Sequence, residues 1–243
     1  MLLVIDSGNT RTKWALASDD GNLSEFEVCM NATIATSNLS RAAQKADRAL
    51  IANVAGEAMA QHITQLLTPL KANFVIASPQ ACGVTNGYAE PAKLGADRWA
   101  ALLAAWQHTK RATVVVNAGT AITIDALDEK GKFLGGSIMP GLRLMHESLS
   151  SNAAQLKIGE GISHQFPNNT QVAIATGSLN AVAGAIGIML KRLEKHSGWL
   201  PKLILSGGDA NKVADALKLN LKQVIITENL VLQGLVLLEK EMR

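Results

Sequence analysis

Two short polar turns carry the strongest chemical signal in the sequence. Asp6-Ser7-Gly8-Asn9-Thr10 and Asn117-Ala118-Gly119-Thr120-Ala121 each follow an apolar run, and each sets a glycine among Ser, Thr or Asn side chains. Glycine lets the backbone come close to a ligand, and successive N–H groups flanked by hydroxyls and amides can cradle phosphate oxygens. Asp6 repels phosphate itself but suits a hard cation such as Mg²⁺, which takes one or two protein carboxylates when it rides on phosphates. Lys13 adds a point charge close by. A third turn, Ser206-Gly207-Gly208-Asp209-Ala210, is small enough for a flat ring to lie against the backbone. Any one of these turns alone reads as an ordinary loop; three in one chain specify far more.

Several other chemistries are excluded by direct search. The sequence has no GxxxxGK[ST], GxGxxG or GxSxG, so neither a P-loop, a dinucleotide fingerprint nor a nucleophile elbow is expected. His146-Glu147 begins like a zinc-binding HExxH, but Ser150 stands in place of the second histidine. The five histidines have no close ligand spacing, Cys29 and Cys82 form no CxxC, and no transition-metal site or disulfide framework is expected. A reducing cytoplasm fits.

The elements that must position the turns repeat. Apolar periodicity and breakers predict strands at Leu2–Ile5, Lys13–Ser18 and Glu25–Met30, a helix near Leu39–Ala46, a strand at Leu50–Val54, a helix at Glu57–Leu70 and a strand at Phe74–Ala77. A loop with Pro79, Gly83, Gly87 and Pro91 leads to a helix from about Ala96 to His108, with Trp99, Leu102, Leu103 and Trp106 on one apolar face. The order then restarts. Strands are predicted at Thr113–Val116, Ala121–Leu127 and Lys132–Met139, and helices at Leu142–Leu156 and Thr170–Glu194. A strand at Lys202–Leu205, a helix at Asn211–Leu217, a strand at Gln223–Thr227 and a helix at Leu230–Met242 complete it. Both halves read βββαβαβα, and Val4–Asn9 lines up with Val115–Thr120. The expected organisation is two copies of one α/β fold, 1–112 and 113–243, facing a central cleft, a preferred place for ligands.

Composition agrees with a soluble, folded chain. The 243 residues are 48% hydrophobic and 18% charged, away from the disordered regime. The net charge of +3 comes from 23 Lys and Arg in no run longer than a pair such as Lys191-Arg192, and rings make up only 4% of the chain. Nucleic-acid binding is therefore not expected. The opening apolar run stops at Asp6 without a basic region, and no uninterrupted apolar stretch approaches the length of a membrane span, so no membrane association is expected.

Asp6-Ser7-Gly8-Asn9-Thr10 with Lys13, Asn117-Ala118-Gly119-Thr120-Ala121 and Gly207-Gly208-Asp209-Ala210 together resemble the phosphate-1, phosphate-2 and adenosine motifs of the acetate kinase, sugar kinase, Hsp70 and actin superfamily, whose domains are ribonuclease H-like. Within it, Tyr88-Ala89-Glu90-Pro91-Ala92-Lys93-Leu94-Gly95-Ala96-Asp97-Arg98-Trp99 is similar to the signature of type III pantothenate kinases, supported by Gly135–Leu142 and by Asn169-Thr170 with Gly177. The resemblance implies ATP-dependent phosphorylation of pantothenate, with Mg²⁺. Asp6, Ser7, Gly8, Asn9, Thr10, Arg11, Thr12, Lys13 and Thr120 would form the ATP site, with Asp6 also bearing the metal. Tyr88, Gly95, Ala96, Asp97, Arg98 and Thr170 would contact pantothenate, and Asp97 would be the general base. At a helix N-terminus that carboxylate is expected to be held as the anion, hence available but weak. Arg98 offers a charge-assisted partner for a carboxylate. The family commonly carries aspartate where this chain has Asn117, at a position that binds K⁺ or NH₄⁺; a neutral amide there implies weakened cation dependence. The resemblance also implies a homodimer. Two alternatives stay open: another small-molecule kinase of the same fold, and a non-catalytic transcriptional accessory factor.

Overall fold

A computed structural model describes residues 1–152, 162–217 and 224–243. Contacts divide the chain into two compact units. The first comprises Met1–His108, Gly131–Phe133 and Asn229–Arg243; the second comprises Thr109–Lys130 and Leu134–Glu228.

In the first unit, β1 (Leu2–Ser7), β2 (Arg11–Ala17), β3 (Glu27–Met30), β4 (Arg48–Asn53) and β5 (Ala72–Phe74) form one sheet in the order β3-β2-β1-β4-β5. β1 runs antiparallel to β2 and parallel to β4, and β4 is parallel to β5. Helices α1 (Leu39–Ala43) and α2 (Glu57–Leu67) make the crossovers that parallel neighbours require. Leu3 and Ile5 join Trp14, Ile34, Leu39, Ile51, Ile63 and Leu67 in the core beneath them. Leu2 and Val4, which alternate to the other face, are buried as well. A strand covered on both faces reads as a continuous apolar run, which is how Leu2–Ile5 looks in sequence.

The second unit repeats the plan. β8 (Thr113–Ala118), β9 (Ala121–Leu127), β10 (Lys132–Pro140, whose first two residues fall in the first unit), β11 (Lys202–Ser206) and β12 (Val224–Ile226) take the order β12-β11-β8-β9-β10, equivalent to the first sheet's five strands, in a seven-stranded sheet that two short strands at 80–81 and 84–86 extend beyond β10. β8 is antiparallel to β9 and parallel to β11, and β11 is parallel to β12. β1 and β8 are both six residues long and share one burial pattern, in which only the fifth residue, Asp6 or Asn117, is partly exposed. Helices α4 (Leu142–Asn152), α5 (Thr170–Ser197) and α6 (Ala210–Leu217) belong to this unit. The expected end of the helix at 142–156, and Gln223 at the start of an expected strand, lie outside the described residues.

Three features depart from the pattern read in sequence, the first being that the strand expected at Phe74–Ala77 falls earlier, as β5 at Ala72–Phe74, and shares only Phe74 with it. The expected loop after β5 contains a hairpin, β6 (Gln80–Ala81) with β7 (Val84–Asn86), closed by Cys82 and Gly83 at φ 49° and 78°. Two left-handed residues suit the twist of a two-residue hairpin, but cysteine is an unusual occupant of the first position. The Cys82 N–H donates to Glu241 Oε2 at 2.7 Å, a contact made with the far end of the chain. The last helix, α7 (Leu230–Glu241), falls in the second sequence copy but packs on β1 and β4 of the first unit. It meets α3 (Ala96–Thr109) so closely that a Cβ on Gly234 would stand 1.9 Å from the Ala100 carbonyl oxygen. Arg48 on β4 reaches Glu239 at 2.5 Å and Asp19 at 3.0 Å, and Arg243 joins both acids.

By length and composition α5 is apolar enough to cross a membrane. Its Val182, Ile186 and Leu193 lie in the second unit's core with Val114, Val116, Ile122 and Ile124, as expected of a helix covering its own sheet.

Candidate functional site

In the first unit the turn after β1 is a hairpin, with Ser7 opposite Thr12 and Asp6 opposite Lys13. Side chains directly opposite on antiparallel strands share a face, so Lys13 places its charge against Asp6. The Lys13 ammonium also lies 5.6 Å from the centre of the Phe26 ring. The Gly8 N–H donates to the Arg11 carbonyl at 3.1 Å, closing the turn, while Asn9 and Arg11 are exposed at its tip. Ser7 and Thr12 point inward, fully buried, with their hydroxyls 3.2 Å apart. Thr12 donates to Asn31 Oδ1 at 2.9 Å, Asn31 Nδ2 donates to the Gly8 carbonyl at 2.8 Å, and the Asn31 N–H donates to the Thr10 carbonyl at 3.0 Å. Thus Asn31 holds three residues of the turn. It went unnoticed in sequence because nothing local to it signals this contact; only the β2–β3 register brings it there.

Burial, the nearby Asp97 charge and, in opposition, Lys13 set the Asp6 carboxyl, which is raised from the ordinary aspartate range to about 7. Asp97 stands in the first turn of α3 and accepts from the Arg98 N–H at 2.8 Å. The residue before the helix must be small: a Cβ on Gly95 would lie 2.7 Å from Asp97 Oδ1 and 3.6 Å from Val54. Burial raises the Asp97 carboxyl above its usual range despite the Arg98 amide bond and charge. The helix terminus was expected to keep this group a weak base; desolvation outweighs it and makes the carboxylate more basic. The Arg98 guanidinium carbon lies 5.9 Å from the centre of the Tyr88 ring and 5.7 Å from that of Phe133.

The second unit brings its own turns together. Gly119 donates to the Ala121 carbonyl at 3.1 Å, and Gly141 donates to the Thr120 carbonyl at 2.9 Å. A Cβ on Gly141 would stand 2.1 Å from the Gly119 carbonyl oxygen, and one on Gly207, at φ +96°, 2.4 Å from that of Ala118. The Asp209 N–H donates to the same Ala118 oxygen at 3.1 Å. The turns after β8, β10 and β11 therefore touch backbone to backbone, an approach that needs glycine. Thr170 is exposed at the start of α5, behind an Asn169 cap that accepts from the Val172 N–H at 3.0 Å.

Asp6, Lys13, Asp97, Arg98 and Tyr88 thus gather in the first unit, and Thr120 and Thr170 stand in the second. Burial and the Asp97 charge both make the Asp6 carboxylate costly, and a divalent cation beside it would relieve that cost. Among the described residues no cluster of three or more His, Cys, Asp or Glu surrounds a metal-sized space, so other ligands would come from phosphate and water, as is usual for Mg²⁺.

A family model described as type III pantothenate kinase matches residues 2–192. The chain is 44% identical to the type III pantothenate kinase of Methylobacillus flagellatus, covering 98% of each chain, and 40% identical to that of Nitrosospira multiformis, covering 99% of this chain and 92% of the relative. A Campylobacter jejuni structure assigned to the Baf family of transcriptional activators superposes with a TM-score of 0.66 at 23% identity, over 99% of this chain and 98% of that one. A structure from Sinorhizobium meliloti assigned as a 2-dehydro-3-deoxygalactonokinase gives 0.55 at 14% identity, over 97% of each chain. These two likenesses establish the fold: mixed α/β, of the actin-like ATPase and sugar kinase type.

The raised Asp6 carboxyl has a consequence for stability. A group that binds its proton more tightly when folded stabilises the fold below its unfolded pKa, and that contribution is lost as pH rises from about 4 to about 7. Because Asp6 keeps some contact with solvent, its ionisation should cost the ligand-free fold about 1–3 kcal/mol. In urea titrations Asp6→Asn is expected to be more stable than the parent by that amount at pH 8, the gap closing towards pH 4. A gap independent of pH would contradict it.

Proposed function

This chain belongs to the type III pantothenate kinase family, and from that premise we propose that Asp97 is its general base, Asp6 its metal-bearing acid and Arg98 its anchor for the substrate carboxylate. The reaction is ATP-dependent phosphorylation of pantothenate at its primary hydroxyl, the first step of coenzyme A biosynthesis. ATP and pantothenate are the substrates, and the enzyme is a phosphotransferase with an alcohol acceptor.

The observation that carries the assignment is the pairing of a desolvated, basic Asp97 with Asp6 inside its electrostatic reach. As the acceptor oxygen bonds to the γ-phosphorus, the bond to the bridging oxygen breaks, ADP departs and the hydroxyl proton passes to Asp97. The transition state is loose, so alignment and charge neutralisation matter more than base strength. Mg²⁺ bound with the nucleotide supplies part of that neutralisation. Asp6 would hold it directly or through water. The exposed tip of the first turn, Gly8, Asn9, Thr10 and Arg11, with Lys13, would meet the phosphates, while Ser7 and Thr12 act from within by fixing the turn. Thr120 would bind from the second turn, and Gly207 leaves the third open to the adenosine. Tyr88, Gly95, Ala96, Arg98 and Thr170 would line the pantothenate site. The sequence copies 1–112 and 113–243 would each supply one phosphate turn.

A transcriptional role finds no separate support, since likeness to the Campylobacter structure at 23% identity speaks for the fold alone. Cys29 and Cys82 are not joined in a disulfide, which suits the reducing cytoplasm where such a pathway runs.

Three expectations follow from these assignments. Purified protein with Mg-ATP should release ADP only when pantothenate is present, and Asp97→Asn should lower kcat by roughly 10²–10⁴. No pantothenate-dependent release from the parent chain would refute the activity, and a variant within tenfold of it would refute the base. With Asn117 in place of an acid, activity in K⁺ or NH₄⁺ should stay within about threefold of that in cation-depleted buffer, a neutral amide adding no net charge to such a site; activation beyond tenfold would contradict this. Finally, α5 exposes Ala173, Gly177, Ala181, Gly184 and Ile188 along one side, with open space at the glycines, a surface fit for a two-fold homodimer. Sedimentation of a micromolar sample should give a dimer, and a monomer would rule it out.

A further inference from the structure

Arg98 occupies a position where a cation is costly on two counts. It is only 6% exposed, and it sits in the first turn of α3, where the helix dipole presents its positive end. Buried charges persist where their surroundings compensate them. Beneath this one lies an aromatic floor. The guanidinium carbon is 5.9 Å from the Tyr88 centroid and 5.7 Å from that of Phe133, and the two centroids are 6.3 Å apart with planes inclined by 16°. Three nearly equal separations place the guanidinium against both rings of a stacked pair. Ring faces attract a cation through their quadrupoles, and guanidinium, planar and weakly hydrated, stacks on them better than ammonium does.

The platform is assembled by strand pairing. β7 runs parallel to the start of β10 with Asn86 opposite Phe133. Asn86 is buried; its Nδ2 donates to the carbonyls of Ser78 and Pro91, and its Oδ1 accepts from the Tyr88 N–H at 3.0 Å. Gly87 lets the chain pass, since a Cβ there would stand 2.1 Å from the Phe133 carbonyl oxygen. The pairing therefore fixes both rings relative to each other. Tyr88 is 36% exposed and Phe133 fully buried, so Phe133 has no surface to offer a substrate.

We propose that Phe133 is a positioning residue for substrate recognition: its buried ring holds the Arg98 guanidinium in the orientation that receives the substrate carboxylate. Without the ring face, Arg98 keeps its charge and its other contacts but loses the surface that sets the plane of its fork, and part of that ordering is deferred to the moment of binding. The loss falls on affinity for the carboxylate-bearing substrate and spares the nucleotide. The proposal rests on the assignment of Arg98 to that carboxylate.

Steady-state kinetics on the full chain test it. Phe133→Leu and the unbranched, more adaptable Phe133→Met should raise KM for pantothenate roughly five- to twentyfold, the range of a partly desolvated cation–π contact at about 1.4 kcal/mol per tenfold. They should change kcat and KM for ATP by less than about threefold, and Phe133→Tyr, which keeps the ring, should restore the parent KM. In an Arg98→Met background Phe133→Leu should add less than about twofold, as expected for two groups acting as one. Should the aliphatic variants fail to fold, pentafluorophenylalanine in place of Phe133 keeps the ring's shape and reverses the charge on its face; the same rise in KM is expected. An unchanged KM there, or equal rises in KM for both substrates, or multiplicative effects in the double variant, would overturn the proposal. An Arg98→Met chain with the parent KM for pantothenate would instead remove the assignment on which it rests.

Discussion

Two carboxylates near each other in a largely desolvated region form the constraint around which the first unit is organised. Asp6 lies near the end of a strand covered on both faces and Asp97 in the first turn of a helix; burial raises both carboxyls, and the Asp97 charge makes Asp6 harder still to ionise. Much of the local structure serves to hold this unfavourable pair. Lys13 stands opposite Asp6 in the strand register, Gly95 clears space for the Asp97 carboxylate, and Asn31 ties down the turn that follows Asp6. On the proposed assignment the tension is useful: a site that had neutralised both acids internally would have nothing to offer a cation on a phosphate, and no basic oxygen for a hydroxyl proton.

The two copies share topology and differ in charge. Where the first sheet sets Asp6 opposite Lys13, the second sets Asn117 opposite Thr123. The charged pair has become a neutral one at equivalent positions of equivalent strands, and the buried Thr123 hydroxyl has no hydrogen-bond partner among the described residues. Backbone approach takes over in the second unit, where three glycine-bearing turns meet. On the proposed assignment, ion handling and ring accommodation would fall to different copies of one scaffold.

Most of the architecture was legible because it is written in periodicity. Burial on both faces makes β1 and β8 apolar throughout, the polar turns follow at once, and both copies repeat the order, so the strands and their sequence of connection could be read directly. What escaped depends on contacts between residues distant in the chain. Asn31 and Phe133 have no local mark of their roles; strand registers deliver them. The β6–β7 hairpin escaped because cysteine, not Asn or Gly, takes the left-handed position. That α7 packs with the first unit follows from Gly234 against Ala100 and from the Arg48–Glu239 pair, neither visible in a pattern of apolar spacing. The basicity of Asp97 is hidden for a related reason: a helix N-terminus is apparent in sequence, and the desolvation that overrides it is not.

The electrostatic coupling of Asp6 to Asp97 is open to direct observation. With aspartate labelled at its carboxyl carbon, a ¹³C NMR titration of the ligand-free protein should find Asp6 ionising near neutral pH, at about 7, and its midpoint should fall in Asp97→Asn, where the neighbouring charge is gone. A midpoint in the ordinary aspartate range in both proteins would contradict the coupled pair on which this reading of the site depends.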